Sequence, residues 1–172
     1  QLMSRFSRMM PVMYVEPHQS LKKLRRTPFS LQGIIDECRT PLVSGGIEGP
    51  HVFRTSGRLP VSGSRKLGDI TRRSWLRAIN RHLKTIGIHK PIVWISRPEM
   101  YWVLGQLGEI FSIYHAVDEY AGYSMMDEDR RRQLRVIEDQ VLDQVDLTIT
   151  VSPELVVSKS GDDRDIQVVE NA

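Results

Sequence analysis

Two adjacent acids, Asp118 and Glu119, stand in the segment SIYHAVDEYAGYS, where an apolar run gives way to an aromatic residue and a glycine. A carboxylate at such a position can hydrogen-bond a hydroxyl group and help to take its proton. Glycoside hydrolysis instead needs two carboxyl groups that face each other, whereas neighbouring side chains on a loop point in different directions. The adjacent pair is therefore a poor signal for a glycoside hydrolase. The structural alternative is that Asp118 caps the following segment and Glu119 lies in solvent.

The remaining candidates also stand where predicted strands end. In open α/β sheets, ligands bind outside the carboxyl ends of the strands, so a polar residue there is a candidate contact. A strand that leaves the core must end in polar residues in any case. The polar residues at any one strand end, or tip, can therefore also be explained by structure alone. The tips are Glu16 and His18, Thr55 and Ser56, Ser96 and Arg97, Asp118 and Glu119, Ser152, and Asn171.

Signals for other kinds of chemistry are weak. The glycine-rich segment 44–49 precedes a strand instead of joining a strand to a helix, so it is neither a dinucleotide fingerprint nor a P-loop, and we predict that it is a plain loop. None of the five histidines pairs with another at metal-ligand spacing, and no serine stands in a G-x-S-x-G elbow. His82 is interpreted as a solvated or packing residue of a helix, and His115 as a structural residue of a strand. We expect no metal in the site.

The elements that would position these residues alternate along the chain. Apolar runs predict strands at 12–17, 51–55, 91–96, 110–117, 147–152 and 166–170. Helices are predicted at 1–10, 67–86 and 97–108, after a capping box at Ser124 and Asp127, and from Pro153. Strands that alternate with helices indicate an α/β fold of right-handed βαβ units. The prediction is one Rossmann-like domain over 1–172, with a doubly wound parallel sheet and helices on both faces.

The helix predicted at 67–86 is amphipathic. Trp75, Ile79 and Leu83 share one face, and basic residues line the opposite one. Such a stripe is usually the solvated side of a surface helix, and the alternative is contact with anionic lipid or a phosphorylated acceptor. With the basic segment 21–26, the residues in question are Lys22, Lys23, Arg25, Arg26, Arg73, Arg77, Arg81 and Lys84.

Length and composition limit the class of protein. The 172 residues, 40% hydrophobic and 26% charged, are typical of one globular domain. A net charge of +3 is too small to predict nucleic-acid binding. No apolar stretch approaches the roughly 20 residues of a membrane-spanning helix, the first residues lack the pattern of a signal peptide, and Cys38 has no disulfide partner in the chain. We expect a cytoplasmic protein, with peripheral contact at the inner face of the membrane through the basic residues.

The order of the last motifs resembles a known enzyme family. IYHAVDEY, a long charged helix, QVDLTITVSPELV and IQVVENA are similar to the second half of the N-terminal domain of GT-B-fold glycosyltransferases of the family 4 type. The opening QLMSRFSRMMPVMYVEP resembles their first helix and second strand. The resemblance covers most of the chain and is weak across 18–66. Ala172 stands where the family usually has glycine, so the sequence departs from the family pattern at the turn into the linker between domains.

The resemblance implies an acceptor-side domain whose first strand lies before Gln1 and whose nucleotide-sugar-binding domain lies beyond Ala172. Asp118, or else Glu119, would position the acceptor for transfer of a hexosyl group with retention, while the leaving phosphate helps to deprotonate it. The acceptor would be a saccharide or a lipid-linked sugar of the cell envelope. No cofactor is expected in this chain, a nucleotide sugar is expected for the full-length protein, and the chain alone should be inactive. The acceptor-binding candidates are His18, Arg97, His115, Tyr120 and Ser152, with Glu16, Ser96 and Asn171 near the cleft between domains.

Two other functions fit the same pattern. One is a non-catalytic flavodoxin-like interaction module, in which Asp118 could be replaced without functional loss. The other is a sugar-nucleotide epimerase of GT-B fold, which would share the architecture and differ in its chemistry. Fold alone does not decide among them, because unrelated functions occupy the same α/β architectures.

Overall fold

A computed structural model describes residues 2–16, 43–44, 49–53, 65–119, 127–161 and 164–169. The chain divides into two compact units, 1–88 and 89–172. Each unit has its own sheet, and each sheet contains parallel strands. That both units belong to one domain stays a prediction.

The sheet of the first unit has β3 (His51–Phe53) in its centre, parallel to β1 (Met13–Val15) and antiparallel to β2 (Val43–Ser44). The predicted strands at 12–17 and 51–55 are confirmed with shorter bounds. The prediction that 44–49 is entirely loop was wrong at Ser44, because this residue pairs with Val52 as the end of a short edge strand. The elements are α1 (Leu2–Phe6), β1 (Met13–Val15), β2 (Val43–Ser44), β3 (His51–Phe53) and α2 (Arg65–Thr85).

Helix α2 confirms the amphipathic pattern. Trp75, Ile79 and Leu83 are buried, whereas Arg73, Arg77, Arg81 and Lys84 are exposed. Gly87 ends the helix with a φ of 76°, a left-handed conformation that costs glycine little. The Ile88 amide donates to the Leu83 carbonyl at 2.8 Å and the Gly87 amide to the Lys84 carbonyl at 3.2 Å. These bonds form a Schellman motif, which satisfies carbonyls left free at the helix end.

The second unit contains helix α3 (Glu128–Leu142) and a four-stranded parallel sheet. Its strands follow the order β4 (Ile92–Ile95), β5 (Phe111–Ala116), β6 (Leu147–Thr150) and β7 (Ile166–Val168). Tyr114 of β5 pairs in register with Ile95 of β4 and Thr148 of β6. These three residues are buried on the face of the sheet that carries helix α3. The elements are β4 (Ile92–Ile95), a 3₁₀-helix (Pro98–Val103), β5 (Phe111–Ala116), α3 (Glu128–Leu142), β6 (Leu147–Thr150), α4 (Pro153–Lys159) and β7 (Ile166–Val168).

The predicted helix at 97–108 was wrong in type and length. Pro98 does open a helical segment, but that segment is a single 3₁₀ stretch that ends at Val103. Gly105 and Gly108 then adopt φ of 71° and 65°, which an α-helix excludes. The Glu109 carboxylate accepts hydrogen bonds from the Gly105 and Leu107 amides and so fixes the turn into β5.

Helix α3 begins one turn later than the predicted capping box. Asp127 is the N-cap, and its carboxylate accepts a hydrogen bond from the Arg130 amide at 2.8 Å. Ser124, the predicted cap, lies outside the described residues. Glu128 and Asp129 follow in the first turn, where negative charge complements the helix dipole.

The amino ends of β5 and β6 are joined by Ser112 and Asp146. The Ser112 amide and hydroxyl both donate to Asp146 Oδ2 at 2.7 Å, and the Asp146 amide donates back to Ser112 Oγ at 3.1 Å. The hydrogen bonds from the Ser112 side chain and backbone lower the pKa of Asp146. Asp146 is the acid of the QVDLTITVS motif, and its role here is to fasten two strands.

Asp146→Ala is expected to lower the free energy of unfolding by about 1 kcal/mol at neutral pH, because the Ser112 groups lose their ionised acceptor at a partly solvated site. The folded-state pKa of Asp146 is depressed. This contribution is therefore complete above the unfolded-state pKa of about 3.9 and is lost as pH falls through the lower folded-state value. Urea denaturation at several pH values measures the difference. The control is Asp165→Ala, at an exposed acid whose backbone carbonyl bonds the Thr148 amide. A difference that persists unchanged at the acid end would contradict the assignment.

The described chain thus has a Rossmann-like α/β fold in which parallel strands are flanked by helices, and the predicted fold class is confirmed. Among the residues that the structure describes, no helix combines the length and apolar character needed to cross a bilayer.

Candidate functional site

The carboxyl ends of β4, β5 and β6 lie side by side at one edge of the second unit's sheet. Because the three strands are parallel neighbours, the residues that follow them meet at this edge. Ser96 and Arg97 follow β4, Asp118 and Glu119 follow β5 in the centre, and Ser152 follows β6. The structure therefore brings five of the candidate residues to one edge.

The side chains at this edge differ in how they are held. Arg97 pairs with Glu99, Nη2 to Oε1 at 3.1 Å, on the surface. Ser152 is the N-cap residue of α4 and is half-buried. Asp118 is exposed, whereas Glu119 is anchored: its Oε2 lies 2.9 Å from Lys159 Nζ and 3.0 Å from Ser158 Oγ. Glu119 is therefore held by these two contacts and does not lie free in solvent, as the structural alternative for the acid pair had predicted.

A chain of buried polar groups continues from Glu119 into the unit. Lys159, at the end of α4, is only 2% exposed and also lies 3.0 Å from Glu138 Oε1 on α3. The Glu138 side chain is 6% exposed, and the same oxygen accepts a hydrogen bond from the fully buried Tyr114 hydroxyl at 2.6 Å. We call Tyr114, Glu138, Lys159 and Glu119 the buried polar chain. It connects β5, α3 and α4 with the segment at the tip of β5.

The pKa of Glu119 shows the balance of forces on this carboxylate. Burial alone would raise the pKa, but the hydrogen bond and positive charge of Lys159 outweigh it. A hydrogen bond from Ser158 and the charge of Arg135 act in the same direction, so the pKa lies below its ordinary value. Glu119 is therefore held as a carboxylate, 42% exposed, with its charge directed toward Lys159.

His115 lies within β5, not at the tip. Its ring packs edge-to-face against Trp94, with the ring centroids 5.5 Å apart. Burial lowers the pKa of His115, which favours the neutral imidazole. The packing against Trp94 agrees with the interpretation of His115 as a structural residue of the strand. Its role in acceptor binding stays a prediction.

His82 is half-buried in the first unit and packs edge-to-face against His51 at 5.5 Å. Burial, followed by the charge of His51, lowers the pKa of His82. An open hollow of about 510 Å³ lies beside His51, and its other walls come from 7–12, Gly49 and Ile86. Within the described ranges, no group of three or more His, Cys, Asp or Glu side chains could hold a metal ion.

The other candidates are distributed as follows. Glu16 is half-buried and follows β1 in the first unit, where its amide donates to the Phe53 carbonyl at 2.9 Å. Arg73, Arg77, Arg81 and Lys84 form the exposed side of α2. The residues that lie outside the described part of the chain are His18, Lys22, Lys23, Arg25, Arg26, Thr55, Ser56, Tyr120 and Asn171.

The sequence interpretation missed Glu138, Lys159 and the role of Tyr114. A signal for Glu138 was present, because it lies four residues after Leu134 and three before Val141 on the apolar face of α3. An acid at such a position must be buried with a partner. Lys159 had a weaker signal, as a cation in the last turn of a short helix is common for the helix dipole alone.

Fold and site together define a Rossmann-like α/β chain with polar residues gathered at the carboxyl edge of a parallel sheet. Within this class, the chain is similar in fold to a sucrose-phosphate synthase from Thermosynechococcus elongatus. The two are 14% identical with a TM-score of 0.52, and the alignment covers 95% of this chain and 90% of that chain. This likeness is one of fold. No protein-family model and no curated protein matches the sequence.

Proposed function

We propose that this chain is the acceptor-side domain of a glycosyltransferase, which transfers a hexosyl group from a nucleotide sugar to a saccharide or lipid-linked acceptor with retention. The observation that carries the proposal is the placement of Asp118. It is exposed at the carboxyl end of the central strand of three parallel neighbours, between Arg97 and Ser152 on the adjacent tips. Ligands of open α/β sheets bind at this edge.

Two further observations support the enzyme class. The structural neighbour, a sucrose-phosphate synthase, is a GT-B glycosyltransferase. The order of motifs from IYHAVDEY to IQVVENA is the order found in the family 4 type. In this proposal Asp118 orients the acceptor hydroxyl, and Arg97, Ser152, His18 and Tyr120 contribute acceptor contacts. The nucleotide-sugar phosphates are bound by a second domain.

The proposal is tested on the complete gene product with a panel of UDP-, GDP- and TDP-sugars. Consumption of one donor with formation of a glycosylated product is the expected result. Epimerised sugar without transfer would identify the epimerase instead. If no nucleotide sugar is bound or consumed, the enzyme proposal fails and the flavodoxin-like interaction module takes its place.

A lipid-linked acceptor would place the enzyme at an anionic membrane surface, and the exposed basic side of α2 is the proposed contact. Exchange of Arg73, Arg77 and Arg81 for serine is expected to weaken binding to anionic liposomes, measured by co-sedimentation, by about tenfold or more, because each basic residue near such a surface contributes about 1 kcal/mol. The control exchanges Arg130, Arg132 and Arg135, exposed arginines of α3, and removes the same charge. Equal loss in both variants would mean that net charge, not this helix face, drives binding.

A further inference from the structure

The buried polar chain poses a physical question. Lys159 is 2% exposed and Glu138 6%, so both charged groups have lost most of their hydration. A buried ion pair seldom stabilises a fold more than apolar side chains of the same size would. The buried polar chain has a further feature. At one end it leaves the core, where Lys159 contacts Glu119 at the tip of β5.

The contacts of Glu119 show what this end does. Lys159 Nζ lies 2.9 Å from Glu119 Oε2 and 3.0 Å from Glu138 Oε1, so the ammonium group bridges a fixed carboxylate on α3 and a carboxylate on the tip segment. Ser158 Oγ also contacts Glu119, but the same hydroxyl lies 3.1 Å from the Leu155 carbonyl and has a single proton to donate. Lys159 is therefore the principal anchor of Glu119.

Asp118 is the next residue in the chain. Fixing the side chain of Glu119 limits the backbone freedom of its neighbour, and the geometry of a reacting group is sensitive to displacements of about 1 Å. Glu138 in turn is held by the Tyr114 hydroxyl on β5 itself. The strand, two helices and the tip are thereby locked into one arrangement.

We propose that Lys159 is a positioning residue, which anchors Glu119 through the buried polar chain and so holds Asp118 at the sheet edge. In this proposal Glu119 is the fixed point of the tip segment and Asp118 is the group that meets the acceptor. The inference about Asp118 rests on the proposed function, whereas the anchoring of Glu119 rests on the contacts alone.

The test uses a variant of the complete protein in which Tyr114→Phe, Glu138→Leu and Lys159→Met replace the polar chain by apolar groups of similar size. This avoids leaving an unpaired buried charge, and such replacements are often neutral for stability. The matched control is Tyr114→Phe alone, which keeps both contacts of Lys159. Two quantities are measured: the pKa of Glu119, by ¹³C-carboxyl NMR titration, and the kinetic constants for transfer.

In the triple variant we expect the pKa of Glu119 to rise toward its ordinary value, and kcat to fall by about tenfold or more with the donor KM unchanged. Tyr114→Phe, which keeps both carboxylate contacts of Lys159, should change both quantities much less than the triple variant does. An unchanged pKa of Glu119 in the folded triple variant overturns the anchor, whatever the enzyme does. A raised pKa with an unchanged kcat overturns the positioning role. If the wild-type protein transfers no sugar, the proposed function fails, and the pKa still decides whether Lys159 anchors Glu119.

Discussion

Lys159→Met should lower the free energy of unfolding by about 3 kcal/mol, because removal of one partner from a buried ion pair leaves the other charge without compensation. The stranded group is Glu138, whose side chain is 6% exposed and whose remaining partner among the described residues would be the Tyr114 hydroxyl. Glu119 would lose less, since at 42% exposure water can replace the ammonium group. Urea denaturation followed by circular dichroism measures the loss.

The triple variant, which combines Tyr114→Phe, Glu138→Leu and Lys159→Met, serves as the comparison for this prediction. It carries the same methionine but no stranded carboxylate, so most of the lost stability should return. If Lys159→Met costs less than about 1 kcal/mol, the ammonium group is not the essential partner of Glu138. If the triple variant is as unstable as the single one, lost packing and not unpaired charge explains the effect.

Asp118→Asn should lower kcat for sugar transfer by about two orders of magnitude, the scale of a positioned group that handles a proton. Asparagine keeps the size of the side chain and can still accept a hydrogen bond, but it cannot take a proton or supply negative charge. Because the donor is expected to bind mainly to the second domain, its KM should change little. The measurement compares steady-state kinetics of the two proteins at saturating donor.

Asp129→Asn is the matched control for this substitution, because Asp129 is also exposed and lies in the first turn of α3, away from the strand tips. Its transfer rate should stay close to that of the wild type. A thermal unfolding curve for Asp118→Asn separates a loss of stability from a loss of transfer rate. Equal rates for Asp118→Asn and the wild type would remove this residue from the proposed site.

The elements could be predicted wherever one periodicity extended over several residues. The apolar run IFSIYHAV predicted β5, and the apolar spacing of Trp75, Ile79 and Leu83 predicted α2. The segment 97–108 failed because proline at its start and glycine at its end are also the signals of a short turn. The conformations of Gly105 and Gly108 depend on the Glu109 carboxylate, a contact that periodicity does not contain.

The position of the candidate site could be predicted from the sequence, whereas the contacts that hold its residues in place could not. A polar residue after a buried strand can be located from sequence, so Asp118, Arg97 and Ser152 were found at their strand tips. The anchor of Glu119 was not found, because Lys159 lies 40 residues further along the chain. A contact over that distance exists only once the fold has brought α4 beside the end of β5.

Strand β5 is fastened at both ends by residues that are far away in sequence. Ser112 and Asp146, 34 residues apart, close one end, and Glu119 and Lys159, 40 apart, close the other. Contacts between residues so far apart in sequence contribute to stability only after a long loop has closed, and proteins rich in such contacts fold slowly. Neighbouring residues can form α2 or α3 early, whereas the strand that presents Asp118 must wait for the assembly of the whole unit. We therefore expect the candidate catalytic edge to be one of the last parts of this unit to reach its final shape.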